Sequence, residues 1–219
     1  MVEDGFRAVS LTTVSRFAEA STLYREVFGY LDPEYGLNPR LLGALASNGG
    51  AVVGILDDTD RLVAFAYGFC GTDRRGFYHY SQSAVVALDQ QGHGLGRMLK
   101  HAQREVALSH GLSRMRWTYD PAQTRNGHFN LDVLGARGRW FAPDMYGPET
   151  DRVIVEWDLN LEQPVDFDDA ELTQLIVPDD KAELRRSFEE LFGKGLAAVS
   201  CRRLPDGNAA YFFAAVTDA

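Results

Sequence analysis

The stretch Gln90-Gln91-Gly92-His93-Gly94-Leu95-Gly96 places glycine at every second position from Gly92 and runs directly into Leu95, Met98, Leu99, Ala102 and Val106. Those five apolar residues recur at the i, i+3, i+4 spacing that gathers side chains on one face of a helix. Arg97, Lys100, His101, Arg104 and Glu105 fall on the opposite face. Gly111 supplies the stop. The glycines therefore open a helix, where unpaired N–H groups and the positive end of the dipole favour an anion.

Two common phosphate loops do not fit. A P-loop needs Gly-Lys followed by Ser or Thr, and no such pair follows these glycines. A dinucleotide fingerprint needs G-x-G-x-x-G opening an early βαβ unit, whereas Gly94, Gly96 and Leu99 break that spacing deep in the chain. What remains is Gln91-x-x-Gly94-x-Gly96, which resembles the Q/R-x-x-G-x-G/A pyrophosphate loop of the GNAT acyltransferases, the superfamily that uses acyl-coenzyme A.

Composition sets the frame. The chain has 219 residues, 45% hydrophobic and 24% charged, values of a folded globular protein with one domain or a domain plus an extension. No apolar run is long enough to span a membrane. The start, MVEDGFRAV, places acids where a signal peptide carries bases. A cytoplasmic protein with no membrane association is expected. Cys70 and Cys201, the two cysteines, stand far apart and form no metal-binding motif, so reduced thiols and no metal are expected. A net charge of −9 argues against a nucleic-acid partner, which requires a basic surface.

Hydrophobic patterning gives a strand over 6–11, a helix over 14–28 and a second helix started by Asn38-Pro39 and ended by Asn48-Gly49-Gly50. Residues 51–56 and 62–70 form a hairpin around Asp57-Asp58-Thr59-Asp60, and a strand over 77–87 leads to the glycine loop. Strands over 115–119, 139–142 and 153–157 flank a helix over 125–134. Beyond an acidic, proline-flanked stretch over 163–178, a helix over 180–192 and a hairpin over 196–216, turning at Pro205-Asp206-Gly207, form a C-terminal extension.

The order β-α-α-β-β-β-α-β-α-β-β is that of the GNAT fold. Further stretches resemble one little-characterised branch of that superfamily: Trp117-Thr118-Tyr119-Asp120-Pro121, Arg125-Asn126-Gly127-His128-Phe129-Asn130, Leu134-Gly135-Ala136, Tyr146-Gly147 and Asp151 to Trp157, in the right order. The likeness covers about residues 10–158. It implies an α+β fold with a mixed central sheet flanked by helices. Residues 1–158 would be the catalytic domain, and 159–219 a helix-plus-hairpin extension packed on it.

The resemblance implies acyl-CoA-dependent N-acylation of a small-molecule amine, with an amino acid as one option. Acetyl-CoA, or another acyl-CoA such as succinyl-CoA, would be the co-substrate, and a homodimer is compatible with it. Gln91, Gly92, His93, Gly94, Leu95, Gly96 and Arg97 would cradle the pyrophosphate. Val85 and Val86 would lie beside the thioester, with a backbone N–H polarising its carbonyl, and Asn126 would meet the pantetheine amides or cap its helix. A succinyl carboxylate would need a basic partner, for which Arg116, Arg125 and Arg139 are candidates.

Acyl transfer needs a proton acceptor for the amine, donors for the oxyanion and a proton for the thiolate. Tyr80 stands where some relatives carry a glutamate base, although tyrosine is a poor base near neutrality and as readily forms a cleft wall. Neighbouring His79 titrates in the useful range, yet only one strand parity reaches the cleft. Many relatives carry a tyrosine acid where this chain has Leu131. Tyr146 is the substitute, with Tyr119 second, because a phenol keeps its proton at neutral pH. The loss of that tyrosine equally suits a non-catalytic acyl-CoA-binding module. Phe188, Phe192, Tyr211, Phe212 and Phe213 are expected in a core or dimer contact.

Overall fold

The computed structural model describes residues 2–3 and 5–215. The chain forms two compact units, residues 1–115 and 116–219.

The first unit is an antiparallel sheet in sequential order: β1 (Val2–Glu3), β2 (Phe6–Ser10), β3 (Ala51–Leu56), β4 (Leu62–Asp73) and β5 (Gly76–Val86). Helices α1 (Val14–Phe28) and α2 (Pro39–Ser47) cover one face and α3 (Leu95–Ser109) the other. The helix starts follow local chemistry. The Thr13 hydroxyl accepts from Arg16 N–H, and the Asn38 side chain accepts from Arg40 N–H ahead of Pro39. Phe17, Leu23 and Leu42 pack with Val52, Phe65, Tyr67 and Val85 on one side of the sheet. Leu95, Met98 and Leu99 pack with Val53, Ile55, Val63 and Ala66 on the other. Strands buried on both faces carry the near-continuous apolar run seen over 51–56.

The second unit holds β6 (Arg114–Tyr119), which starts at its boundary, with β7 (Arg137–Ala142), β8 (Arg152–Asp158), β9 (Thr173–Ile176), β10 (Leu196–Arg203) and β11 (Ala209–Ala215), in the order β6-β8-β7-β10-β11-β9. The C-terminal hairpin pairs with β7 through Ala198 and Gly138, so it continues this sheet. Helix α5 (Lys181–Gly193) is capped by the Asp180 side chain. It lays Phe188 against Tyr211 and Phe213 at ring separations of 5.0 and 5.6 Å, and all three are fully buried. The C-terminal aromatics therefore build a core.

Two expectations differ. The helix over 125–134 is a short α4 (Thr124–His128) that widens into a π-turn over Phe129–Val133, with Leu134 N–H reaching the Phe129 carbonyl. Asn130 and Asp132 in that turn are held by Trp117 Nε1 (2.9 Å) and Ser200 Oγ (2.6 Å), contacts remote in sequence. Strand β9 lies inside the acidic, proline-flanked stretch to which sequence patterning assigns no element, because a four-residue edge strand with mostly exposed side chains carries no alternation. Val216, the expected end of the hairpin, lies outside the described residues.

Candidate active site

Strand β5 ends at Val86 and the chain passes through a turn of 3-10 helix, Leu88–Gln90, into the glycine loop. Arg61 anchors that turn by bonding Asp89 Oδ2 at 2.8 Å. Gln91 Nε2 reaches back to the Val86 carbonyl at 3.3 Å, and the Gln90 carbonyl lies 3.3 Å from His93 Nδ1. Gly92 and Gly94 have φ of 89° and 77°, the left-handed region that side-chain-bearing residues avoid. The need for glycine is thus conformational. Added Cβ atoms at either would meet nothing within 4 Å, so the space above the loop is open rather than crowded.

Gly94 is the N-cap of α3 and contributes no side-chain cap. The first bonds of the turn run from Arg97 and Met98 N–H to the Gly94 carbonyl, which leaves the N–H groups of Gly94, Leu95 and Gly96 without a partner inside the helix. Gln91, Gly92, His93, Gly94 and Arg97 are exposed, Gly96 half-buried, and Leu95 buried as the first core residue of α3. An open, uncapped, fifteen-residue helix with a glycine approach suits an anion.

Strand β5 contains a bulge absent from the sequence expectation. Ser81 pairs with Gly68 and Ser83 with Tyr67, so Gln82 is the extra residue. The bulge and pleat assign the two sides of the strand. Tyr80, half-buried, lies across from Phe69 with ring centroids 5.5 Å apart. His79 and Ser81 lie on the other side, beneath α3, with Gln103 and Lys100.

His79, a candidate for the amine base, is buried beneath α3 rather than open to solvent. It is 1% exposed, its Nε2 is 3.5 Å from Gln103 Nε2, and burial together with the Lys100 and His110 charges pulls its pKa down to about 3. Gly68 lacks a Cβ to make room for that ring, which an added Cβ would meet at 2.5 Å. Lys100, expected on the polar face of α3, is buried as well. Its Nζ donates to Ser81 Oγ at 2.7 Å, Ser81 Oγ donates to Gln103 Oε1 at 2.9 Å, and burial brings the lysine pKa down to about 7. The signal for this network was Gln103, a polar residue four positions after Leu99 on the apolar stripe.

Val85 is buried in the sheet core and Val86 half-buried. In the second unit, Asn126 is exposed within the first turns of α4, whose N-cap is Gln123, so Asn126 is not the cap. Leu131 is buried. Tyr146 is 56% exposed on the β7–β8 loop, its hydroxyl 3.5 Å from Thr118 Oγ1, with the Arg152 guanidinium over its ring. Tyr119 is buried, and burial raises its pKa above the ordinary phenol value. Asp120 Oδ1 accepts from Ala122 N–H at 2.9 Å and fixes the turn after β6. Arg116 bonds Glu156 at 2.6 Å and lies 4.5 Å from the Trp140 ring centroid. Among the described residues no cluster of His, Cys, Asp and Glu is arranged to hold a metal, and no helix is long and apolar enough to cross a membrane.

No protein-family model and no curated protein matches the chain. Solved structures do. The yncA protein of Salmonella typhimurium, solved with its cofactor acetyl-CoA, superposes with a TM-score of 0.58 at 16% identity over 75% of this chain and 100% of its own. An acetyltransferase of the GNAT family from Streptococcus pneumoniae gives 0.53 at 16% identity over 69% and 98%. A spermidine N-acetyltransferase chimera from Vibrio cholerae and hSSAT gives 0.55 at 12% identity over 72% and 97%. An α+β chain whose fifth strand delivers an uncapped glycine turn to α3, and which superposes on these proteins over nearly their full length, has the fold of the GNAT acetyltransferases.

Proposed function

We propose that the chain is an acyl-CoA-dependent N-acyltransferase acting on the amine of a small molecule. The observation that carries this reading is the open N-terminus of α3, with Gly92 and Gly94 held at positive φ directly after β5, in a fold shared with acetyltransferases. The pyrophosphate would sit over Gln91 to Arg97, receiving the loop and first-turn N–H groups. The thioester would lie at the end of β5, where the Val86 N–H polarises its carbonyl while Val85 packs into the core. Asn126 would meet the pantetheine amides.

With His79 buried, Tyr80 and water bound beside it are left as the acceptor of the ammonium proton, and Tyr146 as the donor to the leaving thiolate. Acetyl-CoA is the simplest donor. A succinyl donor would need a basic partner, with Arg125 and Arg139 the candidates beside Arg116, whose guanidinium bonds Glu156. An amino acid is one acceptor that fits this chemistry, and the chain would work in the cytoplasm, alone or as a homodimer. Leu131, buried where relatives carry a tyrosine, favours a second reading, an acyl-CoA-binding module without turnover.

Calorimetry with coenzyme A and an assay of free thiol released from acetyl-CoA across a panel of amines separate these readings. Binding with amine-dependent thiol release supports the transferase, and binding without release by any amine supports the module. Absence of coenzyme A binding overturns both.

A further inference from the structure

A cavity of about 480 Å³ lies in the second unit. It is lined by Arg125 and His128 from α4 and by Cys201, Arg202 and Arg203 from β10. Its charge is one-sided. Arg202 is matched by Asp169 at 2.6 Å and rests over the Phe212 ring. Among the described residues, the Arg125 and Arg203 guanidinium groups have no ion-pair or hydrogen-bond partner. Two unmatched guanidinium groups at one cavity stand out in a chain of net charge −9.

The elements that line it are tied together from behind. The Asp132 carboxylate accepts from Ser200 Oγ at 2.6 Å and Cys201 N–H at 2.9 Å, which ties the π-turn to β10. His128 Nδ1 faces two acceptors, Asp132 Oδ2 at 3.1 Å and the Cys201 carbonyl at 3.0 Å, so this nitrogen carries a proton. Nε2 is then the ring nitrogen left for a ligand. Cys201 Sγ donates to the Thr124 carbonyl at 3.4 Å, and burial pushes the thiol up to about 12, so the cysteine is a wall and not a nucleophile.

We propose that this cavity is a second binding site, for a phosphate monoester of a small metabolite. Guanidinium forks match phosphate oxygens, and the two unmatched positive charges equal the charge of a phosphate dianion. His128 Nε2, the acceptor nitrogen of a ring protonated on Nδ1, can receive a hydroxyl of the ester's organic part. The volume falls within the range of small-ligand pockets, leaving room for the organic part of the ester beyond its phosphate.

The test is calorimetry on the full chain saturated with coenzyme A, so that the glycine loop is occupied, with inorganic phosphate, glycerol phosphate and succinate as titrants in chloride buffer. Saturable binding of the two phosphates, weakened at least about tenfold in Arg203→Gln and in Arg125→Gln while succinate binds more weakly, is expected. Coenzyme A affinity of Arg203→Gln should stay within about twofold of the parent. No phosphate saturation below about 10 mM, succinate binding as tightly as phosphate, or phosphate affinity unchanged in Arg203→Gln would overturn the proposal. So would a parallel loss of coenzyme A affinity in Arg203→Gln, which would assign the cavity to the coenzyme. A protein that fails to bind coenzyme A leaves the Arg203 dependence readable, so the two proposals fail separately.

Discussion

Lys100 Nζ lies 2.7 Å from Ser81 Oγ beneath helix α3, in a network that continues to Gln103 and His79. This buried lysine joins the strand residue preceding the Gln82 bulge to the helix whose N-terminus is the proposed anion site. Its ammonium ion sits in a place that favours the neutral amine.

The sign of the pH dependence follows. The folded-state pKa of Lys100 is about 7 against a usual 10.5, so the unfolded chain binds more protons between those values. The lysine therefore destabilises the fold fully below pH 7, and this penalty fades as pH rises toward 10.5. Lys100→Met removes it. The stability difference between Lys100→Met and parent should shrink with rising pH across that window, at no more than about 1.4 kcal/mol per pH unit. Urea denaturation at several pH values measures it, and a difference independent of pH would refute the assignment.

Gly94 tests the anion site. At φ 77° a valine is strained, whereas asparagine visits this region more readily. Gly94→Val should lower coenzyme A affinity by at least about tenfold and Gly94→Asn by less, with far-UV spectra unchanged in both. Equal affinity of Gly94→Val and parent in calorimetry would remove the loop from the site.

Tyr146→Phe keeps the ring under Arg152 and removes the hydroxyl. If Tyr146 protonates the thiolate, turnover at saturating acceptor falls about a hundredfold while coenzyme A affinity holds. Turnover within about twofold of the parent would assign that proton to water, since twofold is well under 1 kcal/mol of barrier.

Arg116 and Glu156 form a pair with side chains 10% and 11% exposed. Removing either partner strands the other charge, so Arg116→Met should cost about 3–5 kcal/mol in denaturant unfolding. It should reduce acetyl- and succinyl-CoA turnover equally. A selective loss with succinyl-CoA would restore Arg116 as a donor-specificity residue.

Local chemistry made much of this chain legible. Asn38-Pro39 starts α2, the apolar stripe from Leu95 marks α3, and the alternation of glycine from Gly92 marks the uncapped turn, because caps, helical periodicity and positive φ are properties of a few neighbouring residues. The tertiary structure decided what depends on distant partners. A one-residue bulge at Gln82 changes which side chains a strand presents beyond it, and no local pattern reports it. Lys100 reads as a surface lysine until Ser81, nineteen residues away, meets it under the helix. Arg116 reads as an available cation until Glu156, forty residues on, takes its charge. In each case a polar side chain acquires its role from burial and from the partner that offsets its desolvation, and both are set by the packing of the sheet rather than by the order of residues along the chain.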